Sequence, residues 1–119
     1  MGDRANVYIQ MEPTEDGWDG IGIYAHWEGT TLHDVALQAL PMAMKRQGDP
    51  AYFARILIHN ILVQLADPGS ETGFGLWVTQ PCDNEHPILV INALDGTHWY
   101  CGEADYRNGP EARLVEEPA

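Results

Sequence analysis

The sequence has few basic residues, few cysteines and almost no serine. It contains six Lys and Arg against 18 Asp and Glu, which gives the 119-residue chain a formal net charge of −12. A surface with this charge repels nucleic acid and anionic membranes, so we expect no direct contact with DNA or RNA. Ser70 is the only serine and lies in no Gly-x-Ser-x-Gly motif, which argues against a serine-nucleophile enzyme.

The two cysteines, Cys82 and Cys101, are too few for a disulfide scaffold, and the absence of a Cys-x-x-Cys motif argues against a zinc ribbon. A nucleophilic Cys101 beside His98 is one alternative, but in a strand these two residues point to opposite faces. We therefore expect free, partly buried thiols. Walker and Rossmann motifs are missing as well, and we expect no cofactor.

Long apolar runs are also missing. No segment reaches membrane-spanning length, and the N-terminus has neither the basic start nor the apolar stretch of a signal peptide. With 45% apolar and 20% charged residues, the composition is that of a globular protein. We expect one domain over residues 1–119, in the cytoplasm, with residues 103–119 as a mobile acidic tail.

The hydrophobic pattern predicts five strands and two helices. In the order β-β-α-α-β-β-β, the strands are predicted over 6–11, 21–28, 73–80, 88–94 and 97–102 and the helices over 31–47 and 49–66. Helices grouped between strands predict an α+β fold: a single antiparallel sheet of about five strands with two helices packed on one face. We expect Pro41 to kink or end the first helix near Leu40.

The second predicted helix is expected to form the centre of the core. Its apolar residues recur at helical spacing along one stripe: Ala54, Leu57, Ile58, Ile61, Leu62 and Leu65. The charge around this helix differs from the rest of the chain, because residues 41–66 carry one acid and three bases. The acids are spread over both flanks, where they interrupt apolar segments as on the solvent side of folded elements.

Two clusters have the residue types of a catalytic or metal site. His26 lies near His33 and Asp34, a combination that can bind Zn²⁺, although the spacing matches no standard zinc signature. Asp83-Asn84-Glu85-His86 lies on a predicted loop, where general acids and bases often occur, but Asp and Asn are also ordinary turn formers. Two alternatives stay open: a small metal-dependent or acid/base enzyme that uses His26, Asp83, Glu85 and His86, or surface side chains of a hairpin and a turn.

The four tryptophans are many for a chain of this length. Trp18 lies in a polar loop between Asp16 and Asp19, so we expect its ring to be exposed. An exposed Trp on an acidic rim is typical of a protein interface. We expect most of the other tryptophans to lie in the core.

Three segments of the chain are similar to a group of known sequences: Asp3-Arg4-Ala5-Asn6-Val7-Tyr8, Tyr24-x-His26-Trp27-x-Gly29 and Asp83-Asn84-Glu85-His86-Pro87-Ile88. With Thr72-Gly73-x-Gly75 between them, they resemble short, mostly uncharacterised proteins of phages, prophages and bacterial genomes, over residues 3–95. The resemblance implies no particular activity. It implies a mobile-element setting inside a bacterial host cell, where small acidic proteins often inhibit host defence, anti-CRISPR proteins among them.

These observations lead to two hypotheses. The first is a non-enzymatic, anti-CRISPR-like inhibitor whose carboxylates occupy the basic nucleic-acid groove of a host protein or nucleoprotein. Its predicted partner contacts are Glu12, Glu15, Asp16, Trp18, Asp19 and Glu28 on the first hairpin, with Asp83 and Glu85 on the loop. Trp18, Trp27 or Trp99 would add an apolar anchor. The second is the small enzyme described above. A phage protein with some other partner, or a homodimer, is a further alternative.

Overall fold

The computed structural model describes residues 2–12, 17–78, 81, 84–101 and 109–111. Over these residues it confirms the α+β class and the predicted order of five strands and two helices. The elements are β1 (Ala5–Gln10), β2 (Ile21–Ala25), α1 (Thr31–Ala43), α2 (Pro50–Leu65), β3 (Phe74–Trp77), β4 (Ile88–Asn92) and β5 (His98–Cys101). A 3₁₀ turn, Met44–Arg46, joins the two helices.

The strands form one sheet in the order β3-β2-β1-β4-β5. All neighbours are antiparallel except β1 and β4, which are parallel, so the expectation of a wholly antiparallel sheet is wrong at this pair. The reason is the path of the chain after β3, which returns to the end where β1 begins. There the Glu85 N–H donates to the Arg4 carbonyl at 2.9 Å, so β4 starts beside β1 and runs the same way. This end of the sheet is termed the top, and the opposite end the bottom.

Both helices pack on one side of the sheet, termed the helix face, as predicted. The alternation of side chains along a strand turns one set of apolar residues toward the helices: Val7, Ile9, Ile23, Leu89 and Ile91. Helix α2 meets them with Phe53, Ala54, Leu57 and Ile61, all at most 2% exposed. Each such larger side chain contributes about 1.5–3 kcal/mol by its burial. Ile58, Leu62 and Leu65, the rest of the predicted stripe, are only partly buried.

The opposite side of the sheet, termed the aromatic face, is buried too. Tyr8 stacks on Trp77 with ring centroids 5.5 Å apart, and Trp18 packs edge-on against Tyr8 at 4.8 Å. Burial raises the pKa of the Tyr8 hydroxyl to about 12. Trp18 is only 6% exposed, so the prediction of an exposed Trp18 is wrong. Its loop folds back over β1, where the Gly20 N–H donates to the Tyr8 hydroxyl at 2.6 Å, and burial of the large ring outweighs its polar neighbours.

Residues 109–111 cover another part of the aromatic face. Trp99 Nε1 donates to the Pro110 carbonyl at 2.6 Å, and Cys101 Sγ lies 3.1 Å from the same oxygen. Cys101 is buried, and the β4–β5 register puts its side chain on the face opposite His98, as expected. Cys82 lies outside the described residues. So do residues 103–108 and 112–119 of the predicted mobile tail.

The first helix continues past Pro41 to Ala43, so of the two outcomes expected at Pro41, a kink or an end, the end near Leu40 does not occur. Pro41 is exposed in the last turn, where its missing N–H removes a single helical hydrogen bond and its ring projects into solvent. The chain then tightens into the 3₁₀ turn, a common way for a helix to end. Neither α1 nor α2, the two helices of the described residues, is long and apolar enough to cross a bilayer.

Candidate interaction site at the top of the sheet

Four segments that are distant in sequence meet at the top of the sheet: residues 3–6, 26–29, 72–73 and 84–87. Backbone hydrogen bonds hold them together. The Asp3 N–H donates to the His26 carbonyl at 2.7 Å, and the Gly29 N–H donates to the Asp3 carbonyl at 2.8 Å. The His26 N–H donates to the Gly73 carbonyl at 2.9 Å. These segments carry the motifs on which the resemblance rests, so the fold brings those motifs into one region.

Two side-chain pairs tie the loop before β4 to the start of β1. His86 Nε2 lies 2.6 Å from Asp3 Oδ1, and Arg4 Nε lies 2.9 Å from Glu85 Oε1. The side chains of Asp3, Arg4 and Glu85 are all more than a third exposed, so each pair contributes at most about 1 kcal/mol to stability. Their main effect is to orient the loop against β1, because they join residues that are 81 and 83 positions apart in the chain.

Beneath these exposed pairs, Asn6 organises a buried polar network. Its Oδ1 accepts the Trp77 indole N–H at 2.9 Å, and its Nδ2 donates to Asn84 Oδ1 at 3.2 Å. Asn84 in turn donates to the His86 carbonyl oxygen. Asn6 was not among the residues predicted for a site. The structure shows that it is fully buried in a mostly apolar strand, and a buried Asn needs specific hydrogen-bond partners.

Three histidines, His26, His33 and His86, lie near the top of the sheet, and each has a different partner. His26 Nδ1 lies 2.7 Å from the Tyr24 hydroxyl, while His86 contacts Asp3. His33 is only 3% exposed, its Nε2 lies 3.2 Å from the Asn6 carbonyl oxygen, and burial lowers its pKa. Across the described part of the chain, no group of three or more His, Cys, Asp or Glu residues is arranged to hold a metal ion.

Of the four residues predicted for an enzyme, the structure describes three, each with a different partner. His26 pairs with Tyr24, Glu85 with Arg4, and His86 with Asp3. Asp83 lies outside the described residues. The acid/base arrangement present is therefore a His86–Asp3 pair, and Asp3 was not among the predicted residues.

Trp27 is the large aromatic residue that the top exposes. It is 56% exposed, and its ring lies over Gly73, where an added Cβ would come within 3.0 Å of Trp27 Cζ3. Gly73 has φ +95°, so a side chain there would be strained as well as crowded. The ring also packs edge-on against His26, with centroids 4.9 Å apart. Trp27 is thus held in place beneath and left open to solvent above.

The predicted acidic contacts do not form one surface. Glu12 and Asp19 lie at the bottom of the sheet, next to the end of β1 and the start of β2, whereas Glu28 and Glu85 lie at the top. The six residues of β1 separate the two groups by about 20 Å. The described members of the predicted contacts thus lie at opposite ends of the sheet, and their role as partner contacts stays a prediction. Glu15, Asp16 and Asp83 lie outside the described residues.

The chain matches no protein-family model, no curated protein and no solved structure. The candidate function therefore depends on the geometry and charge of the top of the sheet.

Proposed function

We propose that the protein is a non-enzymatic acidic binding protein that occupies a basic, nucleic-acid-binding surface of a partner. Its contact surface is the top of the sheet, with Trp27 as the apolar anchor. The observation that carries the proposal is a Trp that is 56% exposed and fixed over Gly73, in a molecule with a net charge of −12. Exposed Trp residues are frequent hot spots of protein interfaces.

Three carboxylates lie at the same end of the sheet as this anchor. Glu28 is half-buried next to Trp27, Asp34 is exposed in the first turn of α1, and Glu71 is exposed two residues before Gly73. None of these three forms a salt bridge with a base among the described residues. Negative groups fixed on a rigid scaffold can replace phosphates in a groove lined by Lys and Arg. The partner contacts proposed are therefore Trp27, Glu28, Asp34 and Glu71.

The partner is proposed to be a basic host protein or nucleoprotein of a defence system, such as a CRISPR effector, in the cytoplasm of a bacterial host. The support for this choice is the resemblance to phage and prophage proteins together with the acidic surface. Charge complementarity of this kind speeds association and makes the affinity sensitive to salt.

The test is binding of the purified protein to a CRISPR effector at increasing salt concentration. We expect the affinity to fall steeply with salt, and Trp27→Ala to reduce it by at least about tenfold, as for a hot-spot residue. Glu28→Gln with Asp34→Asn should reduce both the affinity and its salt dependence. No binding to any basic nucleoprotein, at any salt concentration, would contradict the proposal.

The matched control is Glu12→Gln with Asp19→Asn at the bottom of the sheet. This double variant also removes two negative charges, but it does so about 20 Å from Trp27. We expect it to bind nearly as tightly as the original protein. Equal losses for the top and bottom variants would show that general acidity, and not the top surface, determines binding.

The His86–Asp3 pair favours a second candidate function, an acid/base enzyme. A carboxylate 2.6 Å from an imidazole nitrogen is the arrangement that orients a catalytic base. A panel of activated esters and phosphodiesters tests this candidate. Turnover that is lost in His86→Ala and reduced in Asp3→Asn would support it, and turnover unchanged in His86→Ala, or no turnover at all, would contradict it.

A further inference from the structure

The groove between α2 and the sheet is apolar and open. It has a volume of about 500 Å³, and its apolar lining includes Met11, Ile21, Ala54 and Ile58. Leu76 of β3 and Val78 just after it continue this surface: they share the helix face with Ile21 and Ile23 by the strand register, and they are 58% and 59% exposed. The apolar surface therefore extends from α2 to the edge of the sheet.

The edge itself is unprotected. β3 is the outermost strand, and its outward backbone groups have no strand partner among the described residues. Native sheets usually block such an edge with Lys, Pro or a bulge, but β3 reads Phe-Gly-Leu-Trp. A Cβ added to Gly75 would meet no atom of the described residues within 4 Å, so the aromatic side of β3 is open at this position. An edge of this kind is a template for another strand.

The charge distribution selects the occupant. α2 contains no acid, and its exposed face toward the groove carries Arg55 and His59. Arg55 lines the bottom end of the groove, whereas Asp67 and Glu71 are exposed at the top end, between α2 and β3. If two β3 strands pair antiparallel, the bottom of each copy lies beside the top of the other. Arg55 of each copy then faces the acidic residues of its neighbour.

We propose that the groove and the β3 edge form an isologous homodimer interface, in which two β3 strands pair antiparallel and join the two sheets. The second copy fits because the surface is uncharged at its centre and has opposite charges at its two ends. Each chain has a net charge of −12, and the helix beside this edge contains no acid, which limits the repulsion between two copies here. This inference does not depend on the proposed function.

The test is sedimentation equilibrium over a range of protein concentrations. We expect a mass of twice 13.2 kDa at high concentration. Leu76→Lys should raise the dimer dissociation constant at least about tenfold, because it places two like charges near the two-fold axis. The control is Met42→Lys, a change from a 50% exposed apolar residue on α1, which should leave the constant unchanged. A monomer at every concentration, or equal effects of the two variants, would overturn the proposal.

A charge exchange tests the antiparallel arrangement and remains informative if Leu76→Lys fails to fold. Arg55→Glu should weaken the dimer, and the double variant Arg55→Glu with Asp67→Arg should restore it. Failure of the double variant to restore the dimer would exclude the proposed pairing. Trp27 lies over Gly73 at the margin of this interface, so its effect on partner binding should be measured with the dimer constant determined in parallel.

Discussion

At the scale of single residues, Asn6 is the side chain on which the top of the sheet most depends. It is fully buried in β1, yet it accepts from the Trp77 indole and donates to Asn84. These bonds join the aromatic face to the loop that precedes β4. A residue that satisfies buried polar groups on two other elements is hard to replace, because its loss leaves them without partners.

We therefore expect Asn6→Ala to destabilise the protein by about 2–4 kcal/mol, through the unpaired Trp77 N–H and the lost packing. The measurement is the free energy of unfolding in urea. Asn60→Ala is the control, because Asn60 donates only to the Ile56 carbonyl within α2 and should lose far less. Similar losses for the two variants would contradict the role given to Asn6.

His33 gives stability a dependence on pH. Burial lowers its pKa below the ordinary 6.5, so the folded state holds the neutral ring and the unfolded state takes up the proton first. The stability from this group is complete above pH 6.5 and is lost as the pH falls through the lower folded pKa. Burial is the largest influence on the pKa of His33 and lowers it; the Asn6 carbonyl and Asp34 raise this pKa, and the interaction with His86 lowers it.

Replacing His33 by Gln should therefore flatten the acid side of the stability profile. Below pH 6.5, the free energy of unfolding should fall less steeply in His33→Gln than in the original protein. His59→Gln is the control, since His59 is exposed on α2 and should leave the slope unchanged. The two profiles come from urea unfolding at a series of pH values, and parallel slopes for the original protein and His33→Gln would refute the assignment.

At the scale of elements, the packing of Trp77 of β3 over β2 depends on one glycine, Gly22. A Cβ on Gly22 would overlap the Trp77 ring, which lies directly over it on the aromatic face. Trp77 cannot move aside freely, because Tyr8 stacks on it and Asn6 accepts its indole proton. Gly75, on the neighbouring strand, faces open space.

The same substitution should consequently have opposite outcomes on the two strands. Gly22→Ala should cost about 1–3 kcal/mol by overpacking, whereas Gly75→Ala should be neutral or slightly stabilising because glycine is a poor strand residue. Urea unfolding of the two variants gives the comparison. A Gly22→Ala variant as stable as Gly75→Ala would mean that Trp77 does not pack over β2 as described.

The sequence predicted the elements well and their neighbours less well. The apolar stripe of α2 and the alternation of β2 are local patterns, so both elements were predicted close to their observed positions. The parallel pairing of β1 with β4 depends on the path between β3 and β4, which no local pattern records. The contact of Trp18 with Tyr8 and the contact of His86 with Asp3 likewise join residues that are distant in sequence, and only the folded chain brings them together.

At the scale of the whole molecule, the basic and acidic residues lie in different regions. The helix side carries the base-rich segment 41–66, and the carboxylates of the described residues lie mainly on the loops at the top and bottom of the sheet. The predicted acidic surface is therefore two surfaces, and only the top one contains an exposed tryptophan among the described residues. This separation favours partner binding at the top and self-association at the groove beside α2.

The central claim is that the top of the sheet stands in for a polyanion on a basic partner. Competition tests it most directly: the protein is bound to a CRISPR effector, and an oligonucleotide that the effector binds is titrated in while bound protein is measured. We expect mutual displacement, with an inhibition constant that Trp27→Ala raises and that the double variant Glu12→Gln with Asp19→Asn leaves unchanged. Simultaneous binding of protein and oligonucleotide, with neither affecting the other, would contradict it.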